Sequence, residues 1–152
     1  MNPRKTTAFS LLELIAVLAI IAVLGAMGAV SLRRDTLVNY EARTAVRRLA
    51  LDLAFARRAA IANGDNHFAD FTSDGGEIVG YTITRRLASS TETVDSPRAF
   101  SSGLTVTLTG GEPEFNFLGE GLTNYTITLA GPDRAWEVTV AMATGAIRAQ
   151  EN

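Results

Sequence analysis

The hydrophobic positions of the chain begin as one long uninterrupted run near the amino terminus. From Leu14 to Val30 there are 17 residues without a charged or polar side chain, and Phe9 to Leu12 and Ser31 to Leu32 lengthen the block. A helix of 17 residues rises about 26 Å, close to the roughly 30 Å of hydrocarbon in a bilayer. The pattern therefore predicts a transmembrane helix over residues 9–32, preceded by a short leader of residues 1–8.

After this block the apolar positions take up the spacing of an amphipathic helix. They recur every four and three residues and so line one helix face: Ala42, Val46, Leu49, Leu53, Ala56 and Ala60. Gly64 is suited to the position just past a helix end. We therefore expect residues 33–64 to continue the helix, with the apolar stripe packed on a sheet.

Beyond Asp65 the period changes to two, which is typical of strands with one buried face. The alternating positions are Tyr81 and Ile83; Leu104, Val106 and Leu108; Phe115 and Phe117; Tyr125, Ile127 and Leu129; and Trp136, Val138 and Val140. His67 to Phe71 and a short segment at Ile147 are expected to add strands, whereas the polar segment 85–103 is expected to be a long loop. The predicted class is α+β, a long amino-terminal helix with a membrane half and an amphipathic half, packed on an antiparallel β-sheet or β-sandwich head over residues 65–152.

Charge divides the chain at the same boundaries. Residues 1–8 carry +2, residues 9–32 carry −1, residues 33–64 carry +4 and residues 65–152 carry −7, within a total of −2. An acidic head does not favour nucleic acid, which is normally bound by a basic surface. A DNA partner is therefore not expected, although the basic helix leaves that class open.

The residue types present argue against an enzyme. The chain has no Cys and one His, so disulfides, zinc–thiolate sites and thiol catalysis are excluded. His67 lies near a strand start, where we expect a surface or capping role. Glu112 and Glu114 can share a strand face, as can the loop acids Asp74 and Glu77, but no dense set of oxygen ligands occurs. We predict no catalytic residue, no metal site and no cofactor.

Glu13 is the exception in the apolar block. An acid within a membrane helix is costly and is a functional hypothesis by default, with a partner to be found. It can snorkel to the interface, since it lies close to the end of the block, or it can pair with a positive charge.

The segment from Ala8 to Leu14 resembles the cleavage and methylation motif of type IV pilins and type II secretion pseudopilins. The resemblance rests on the basic leader with Arg4 and Lys5, and on Phe9, Ser10 and Glu13 ahead of an apolar tail. It implies leader cleavage between Ala8 and Phe9, with Ala8 standing where the family has Gly, and N-methylation of Phe9 by a prepilin peptidase. It also implies a role for Glu13 in filament assembly, paired with the freed amine of a neighbouring pseudopilin or pilin subunit.

The rest of the chain resembles the H-type minor pseudopilins and FimT-like pilins. The resemblance is carried by LALDLAFARRAAIANGD at the helix end, FNFLGEGLTNYTITL, and WEVTVAMATGAIR at the close. It implies a minor pseudopilin, a structural subunit of the type II secretion pseudopilus. It also implies a single-pass bacterial inner-membrane protein with a cytoplasmic amino terminus and a periplasmic head. Two alternatives stay open: a FimT-like minor type IV pilin in DNA uptake, and a signal-anchored β-domain unrelated to filaments.

Overall fold

The computed structural model describes residues 11–152, and for residues 28–35 it describes the backbone only. These residues fall into two compact units, the first ending at Thr36 and the second running from Leu37 to Asn152. Over residues 11–152 the order of elements is one helix followed by nine strands: α1 (Leu11–Asn63), β1 (His67–Asp74), β2 (Glu77–Arg86), β3 (Thr91–Thr93), β4 (Arg98–Ala99), β5 (Thr105–Thr109), β6 (Glu114–Phe115), β7 (Tyr125–Ala130), β8 (Ala135–Val140) and β9 (Ile147–Glu151).

The helix ends where the sequence predicts. Gly64 has a φ of 74°, a conformation that only Gly adopts at little cost. Its amide donates to the carbonyl oxygen of Ala60 at 3.0 Å, which closes the last turn as in an αL cap. The chain then reverses directly into β1.

The strands form two antiparallel sheets. The first has the order β3-β2-β1-β6, with β4 also paired to β2, and the second has the order β5-β7-β8-β9. In the second sheet Ile127 lies opposite Val138 and Leu129 opposite Trp136, so apolar side chains meet across neighbouring strands on the buried face. Seven of the predicted strand positions therefore belong to one packed layer: Val106, Tyr125, Ile127, Leu129, Trp136, Val138 and Val140.

The apolar stripe of α1 is buried, as predicted, and it packs with residues of both sheets rather than of one. All six of its residues are buried, with exposures of 0–2%, and they share one hydrophobic core with residues of each sheet. Burying one Leu side chain contributes about 1.5–3 kcal/mol, so Leu49 and Leu53 are the main anchors of the helix. The small residues Ala42, Ala56 and Ala60 let the helix approach the sheets closely.

Two of the predictions for this half are wrong. Segment 85–103 is not a plain loop, since it carries β3 and β4, both paired with β2. The strand expected through Phe117 ends at Phe115, and the side chain of Phe117 is 57% exposed. The cause is Asn116, whose Oδ1 accepts hydrogen bonds from the amides of Leu118 and Glu120 and turns the backbone away from the sheet.

Candidate functional site

The first half of α1 is apolar on every side and exposed. Each large apolar side chain from Leu11 to Met27 is exposed, from 46% at Val17 to 78% at Leu12. An isolated helix with such a surface needs lipid or other helices around it. Over the part of the chain that the structure describes, no helix is long and apolar enough to cross a membrane.

Glu13 lies in the first turn of α1 as described, on the exposed surface. The predicted cleavage site, Ala8 and Phe9, and the predicted methylation site at Phe9 lie outside the described residues. The structure therefore shows that Glu13 is exposed on α1. The processing site at Ala8 and Phe9 stays a prediction.

A polar network joins α1 to the first sheet, and the sequence did not reveal it. The hydroxyl of Tyr81 donates to Oδ2 of Asp52 at 2.8 Å. Nη2 of Arg98 donates to Oδ2 of Asp95 at 2.6 Å, and its Nε lies 3.4 Å from Oδ2 of Asp52. Burial, followed by the hydrogen bond to Asp52, raises the pKa of Tyr81 well above its ordinary value. The network therefore holds Tyr81 as a neutral donor.

A cleft of about 210 Å³ lies beside this network. Its lining includes Tyr81 and Phe100, whose ring centres are 5.5 Å apart, and the acidic residue Glu41. Arg48 and Arg98 line it together with Tyr40. We call it the Tyr81–Phe100 pocket.

Two turns of the head lie side by side against the carboxyl-terminal part of α1. Arg57 bridges them, donating from Nε to the carbonyl oxygen of Gly119 at 2.8 Å and from Nη2 to that of Thr144 at 3.1 Å. Around this contact several large apolar side chains are exposed: Ile61, Phe117, Leu118, Leu122 and Met142.

A second ion pair, between Arg86 in β2 and Glu114 in β6, lies at the β6 edge of the first sheet. Nε and Nη2 of Arg86 donate to Oε1 and Oε2 of Glu114 at 2.9 and 2.8 Å, and Nδ2 of Asn66 donates to Oε1 at 2.9 Å. The guanidinium also lies 4.4 Å from the ring centre of Phe68, a cation–π contact. Burial alone would raise the pKa of Glu114, but the bonds from Arg86 and Asn66 hold the pKa below its usual value. This cluster stabilises the sheet edge.

The remaining polar candidates have structural contacts. His67 is fully buried rather than at the surface, and its Nδ1 lies 3.0 Å from the carbonyl oxygen of Asp65. Glu112 accepts the amide of Phe71 at 3.2 Å, while Glu114 is held by Arg86. Among the described residues, no group of three or more His, Asp or Glu side chains is arranged to hold a metal ion.

Comparison with protein families gives a match over most of the chain. The family model of GspH, a type II transport protein, matches residues 45–145, which is more than half of the 152 residues. The match begins within the amphipathic half of α1, runs through the head past β8, and does not include Glu13. No curated protein matches the chain by sequence.

Solved structures share the fold at low identity. The minor pseudopilin EpsH from the type 2 secretion system of Vibrio cholerae aligns with a TM-score of 0.61 and 20% identity, over 73% of this chain and 97% of that one. The type IV minor pilin FimU of Pseudomonas aeruginosa aligns with a TM-score of 0.57 and 21% identity, over 74% of this chain and 90% of that one. Both alignments show a shared fold.

Proposed function

The chain belongs to the GspH family of type II transport proteins, and we propose that it acts in type II secretion as a minor pseudopilin, a structural subunit of the pseudopilus. Its work is mechanical assembly rather than catalysis. The single observation that carries this proposal is the exposed apolar half of α1, Leu11 to Met27, continued in one helix by the half that holds the head. The exposed half supplies the surface through which subunits pack, and the head supplies the displayed surface.

Assembly through that helix gives Glu13 its role. A carboxylate taken into an apolar environment is stable only when it is paired and hydrogen-bonded. Cleavage between Ala8 and Phe9 would free an α-amine, whose ordinary pKa is about 7.7–8.0. We propose that the prepilin peptidase makes this cut and methylates Phe9, and that Glu13 pairs with the amine of a neighbouring subunit. The two charges would then enter the filament together.

The proposed location follows from the same elements. Residues 9–32 span the inner membrane, the amino terminus faces the cytoplasm, and the head from residue 65 onwards lies in the periplasm. The basic pair Arg4 and Lys5 ahead of the span favours a cytoplasmic amino terminus.

The test is a comparison of variants in the same turn of α1. Glu13→Ala and Glu13→Gln should insert into membranes at wild-type levels but lose incorporation into the filament and release of the secreted cargo. Glu13→Gln keeps the size and polarity of the side chain and removes only the charge. Leu12→Ala, a neighbour that is 78% exposed, is the matched control and should retain most of both activities. Normal incorporation of both Glu13 variants would reject the pairing.

Two observations keep a DNA-binding minor pilin as the second candidate. Four Arg side chains of α1, Arg43, Arg47, Arg48 and Arg58, are exposed, and the FimU match is to a type IV minor pilin. Against it stands the net charge of −7 over residues 65–152. A gel shift with the full chain decides: binding that weakens steeply with salt and with Arg43→Gln plus Arg47→Gln would favour this candidate, and no shift would support the secretion role.

A further inference from the structure

Strand β9 is an open edge of the second sheet. Within residues 11–152 it pairs with β8 alone, over five consecutive residues without a shift in register, and it contains no proline. The opposite edge of this sheet, β5, lies against β2 of the first sheet. The edge strands of the first sheet, β3 and β6, are three and two residues long. A regular open edge such as β9 is the kind that can accept an added strand.

The backbone groups of alternate residues in β9 point away from β8. The amide of Asn152 donates to the carbonyl oxygen of Ala135 at 2.9 Å. Because the bonding direction alternates along an antiparallel pair, every second residue counted back from Asn152 bonds to β8. The residues between them direct their N–H and C=O groups outward: Ile147, Ala149 and Glu151. The edge therefore offers a row of donors and acceptors to an extended chain.

A groove of about 190 Å³ lies between this edge and α1. Arg43 and Arg47, about one turn apart in α1, line it from the helix, and Ala149 and Glu151 line it from β9. The other lining residues are Val46, Trp136 and Gln150. The two guanidinium groups and the outward backbone of β9 therefore border the same space.

The charge of the groove is positive when every lining side chain is counted. Arg43 and Arg47 are exposed, and neither forms an ion pair with another described residue. The one acid of the lining, Glu151, accepts a hydrogen bond from Nη1 of Arg134 at 3.0 Å, so its charge is already matched. On the outer face of the same two strands one charge of each sign is present: Arg148 and Glu137. The unmatched charge at this edge is therefore that of the two Arg side chains on α1.

Two physical arguments identify the occupant of this edge as a neighbouring subunit of a different kind. Antiparallel addition of a second β9 would place Arg43 and Arg47 of both copies on one face of the joined sheet, where like charges would meet. A free protein would be held by a few backbone hydrogen bonds of small net strength, which do not offset the freedom that it loses on binding. A subunit already packed beside α1 in the filament has a high effective concentration, so those bonds suffice.

We propose that β9 accepts an extended segment of a different subunit of the filament as an added strand, and that acidic side chains of this segment pair with Arg43 and Arg47. The proposal rests on the proposed function, because it names the surface by which this head meets another kind of subunit. Four helical residues rise about 6 Å and two strand residues span about 6.6 Å. Two acids on one face of the added strand therefore have the spacing of the two Arg side chains. Backbone bonds supply the affinity, and the Arg pair supplies the specificity.

The absence of Cys from the chain allows a single Cys to be placed at the edge of the full-length protein in membranes of its host. Arg148→Cys lies in β9, and Thr107→Cys, at an exposed position of the edge strand β5, is the matched control. Each thiol is labelled with a photoactivated maleimide, and the linked peptides are identified by mass spectrometry. The proposal predicts that residue 148 captures an acidic peptide of another pseudopilin about tenfold more than residue 107 does.

Two changes distinguish strand addition from mere proximity. Ala149→Pro removes an outward N–H and leaves the pairing with β8, so it should reduce the product about tenfold, whereas Ala149→Ser keeps the N–H and should not. Arg43→Gln combined with Arg47→Gln should reduce the product to a similar extent, and Arg58→Gln, exposed further along α1, should not. The double Arg variant changes exposed side chains only, so it tests the contact even where the proline variant fails to fold.

Several results would overturn the proposal: equal yields at residues 148 and 107, a product that neither Ala149→Pro nor the double Arg variant reduces, or a linked peptide from a second copy or from the cargo. Cargo release is measured in the same strains. Normal release without a product at residue 148 rejects the contact and leaves the secretion role standing. Normal release in a host that lacks this chain rejects the secretion role itself.

Discussion

Arg57 and Gly119 are 62 residues apart and are joined by a hydrogen bond of 2.8 Å from Nε to the carbonyl oxygen. The same guanidinium reaches the carbonyl oxygen of Thr144 at 3.1 Å. One side chain of α1 therefore fixes both turns that carry the exposed apolar end of the head. The positions of Phe117 and Met142 depend on this contact.

Removal of the Arg57 side chain should destabilise the head. Arg57→Ala leaves two carbonyl oxygens without their charged donor, which costs about 1–3 kcal/mol. Arg58→Ala, one residue on and exposed, should change the free energy of unfolding by less than about 0.5 kcal/mol. Urea unfolding followed by the fluorescence of Trp136, the only Trp in the chain, measures both. Equal stabilities would contradict the bridging role.

Gly145 should tolerate no side chain. Its φ is 59°, and a Cβ there would collide with the carbonyl oxygen of Gly119 and approach Nε of Arg57. Gly145→Ala should therefore cost more than the roughly 1 kcal/mol expected for strained backbone alone. Gly111→Ala is the matched control, since Gly111 has a φ of 87° and open space around it. Thermal unfolding should show the larger loss for Gly145→Ala, and a larger loss for Gly111→Ala would be evidence against this packing.

The stripe of α1 gives the clearest stability contrast. Leu53 is 0% exposed and Leu51 is 69% exposed, two residues apart in one helix. Leu53→Ala should cost about 2–5 kcal/mol through lost burial and a cavity, whereas Leu51→Ala should be nearly neutral. Similar losses for the two variants, measured by urea unfolding, would show that the helix packs on the sheets by another face.

The pH dependence of stability should report the Glu114 cluster. The pKa of Glu114 lies below its ordinary 4.5 in the folded state. The stabilising effect of the charged carboxylate is therefore complete above pH 4.5 and is lost as the pH falls through the folded-state pKa. Glu114→Gln should cost about 1–2 kcal/mol at pH 7, a value lowered because Arg86 is 47% exposed. The cost should shrink as the pH falls below 4.5. Glu77→Gln, at an exposed position, should show no such trend, and a pH-independent cost for Glu114→Gln would contradict the assignment.

The parts of the fold that depend on apolar periodicity could be predicted from the sequence. The stripe from Ala42 to Ala60 and the strands at Tyr125 and Trp136 each bury one regular face, and hydrophobic burial is what fixes them. β3 and β4 could not be predicted in this way, because β3 is exposed at all three positions and both strands are held by backbone pairing with β2. Their sequence carries no apolar signal for that pairing.

The sites of the head were beyond sequence reasoning for a different reason. Asp52 lies 29 residues before Tyr81 and 46 residues before Arg98. Only the folded chain brings these three residues together. Phe117 fits the alternating pattern of a strand, and we therefore predicted a strand there. The sequence signal against that prediction is the segment from Asn116 to Gly119, which combines an Asn with a Gly whose φ is 79°. Such a pair indicates a turn.

We propose that this chain is trimmed at Phe9 and then assembled through its exposed apolar helix. The most direct test is the mass of the protein isolated from the membranes of its host. We expect an amino terminus at Phe9, carrying a methyl group, with residues 1–8 removed. A functional protein that keeps Met1 and its leader would contradict the account.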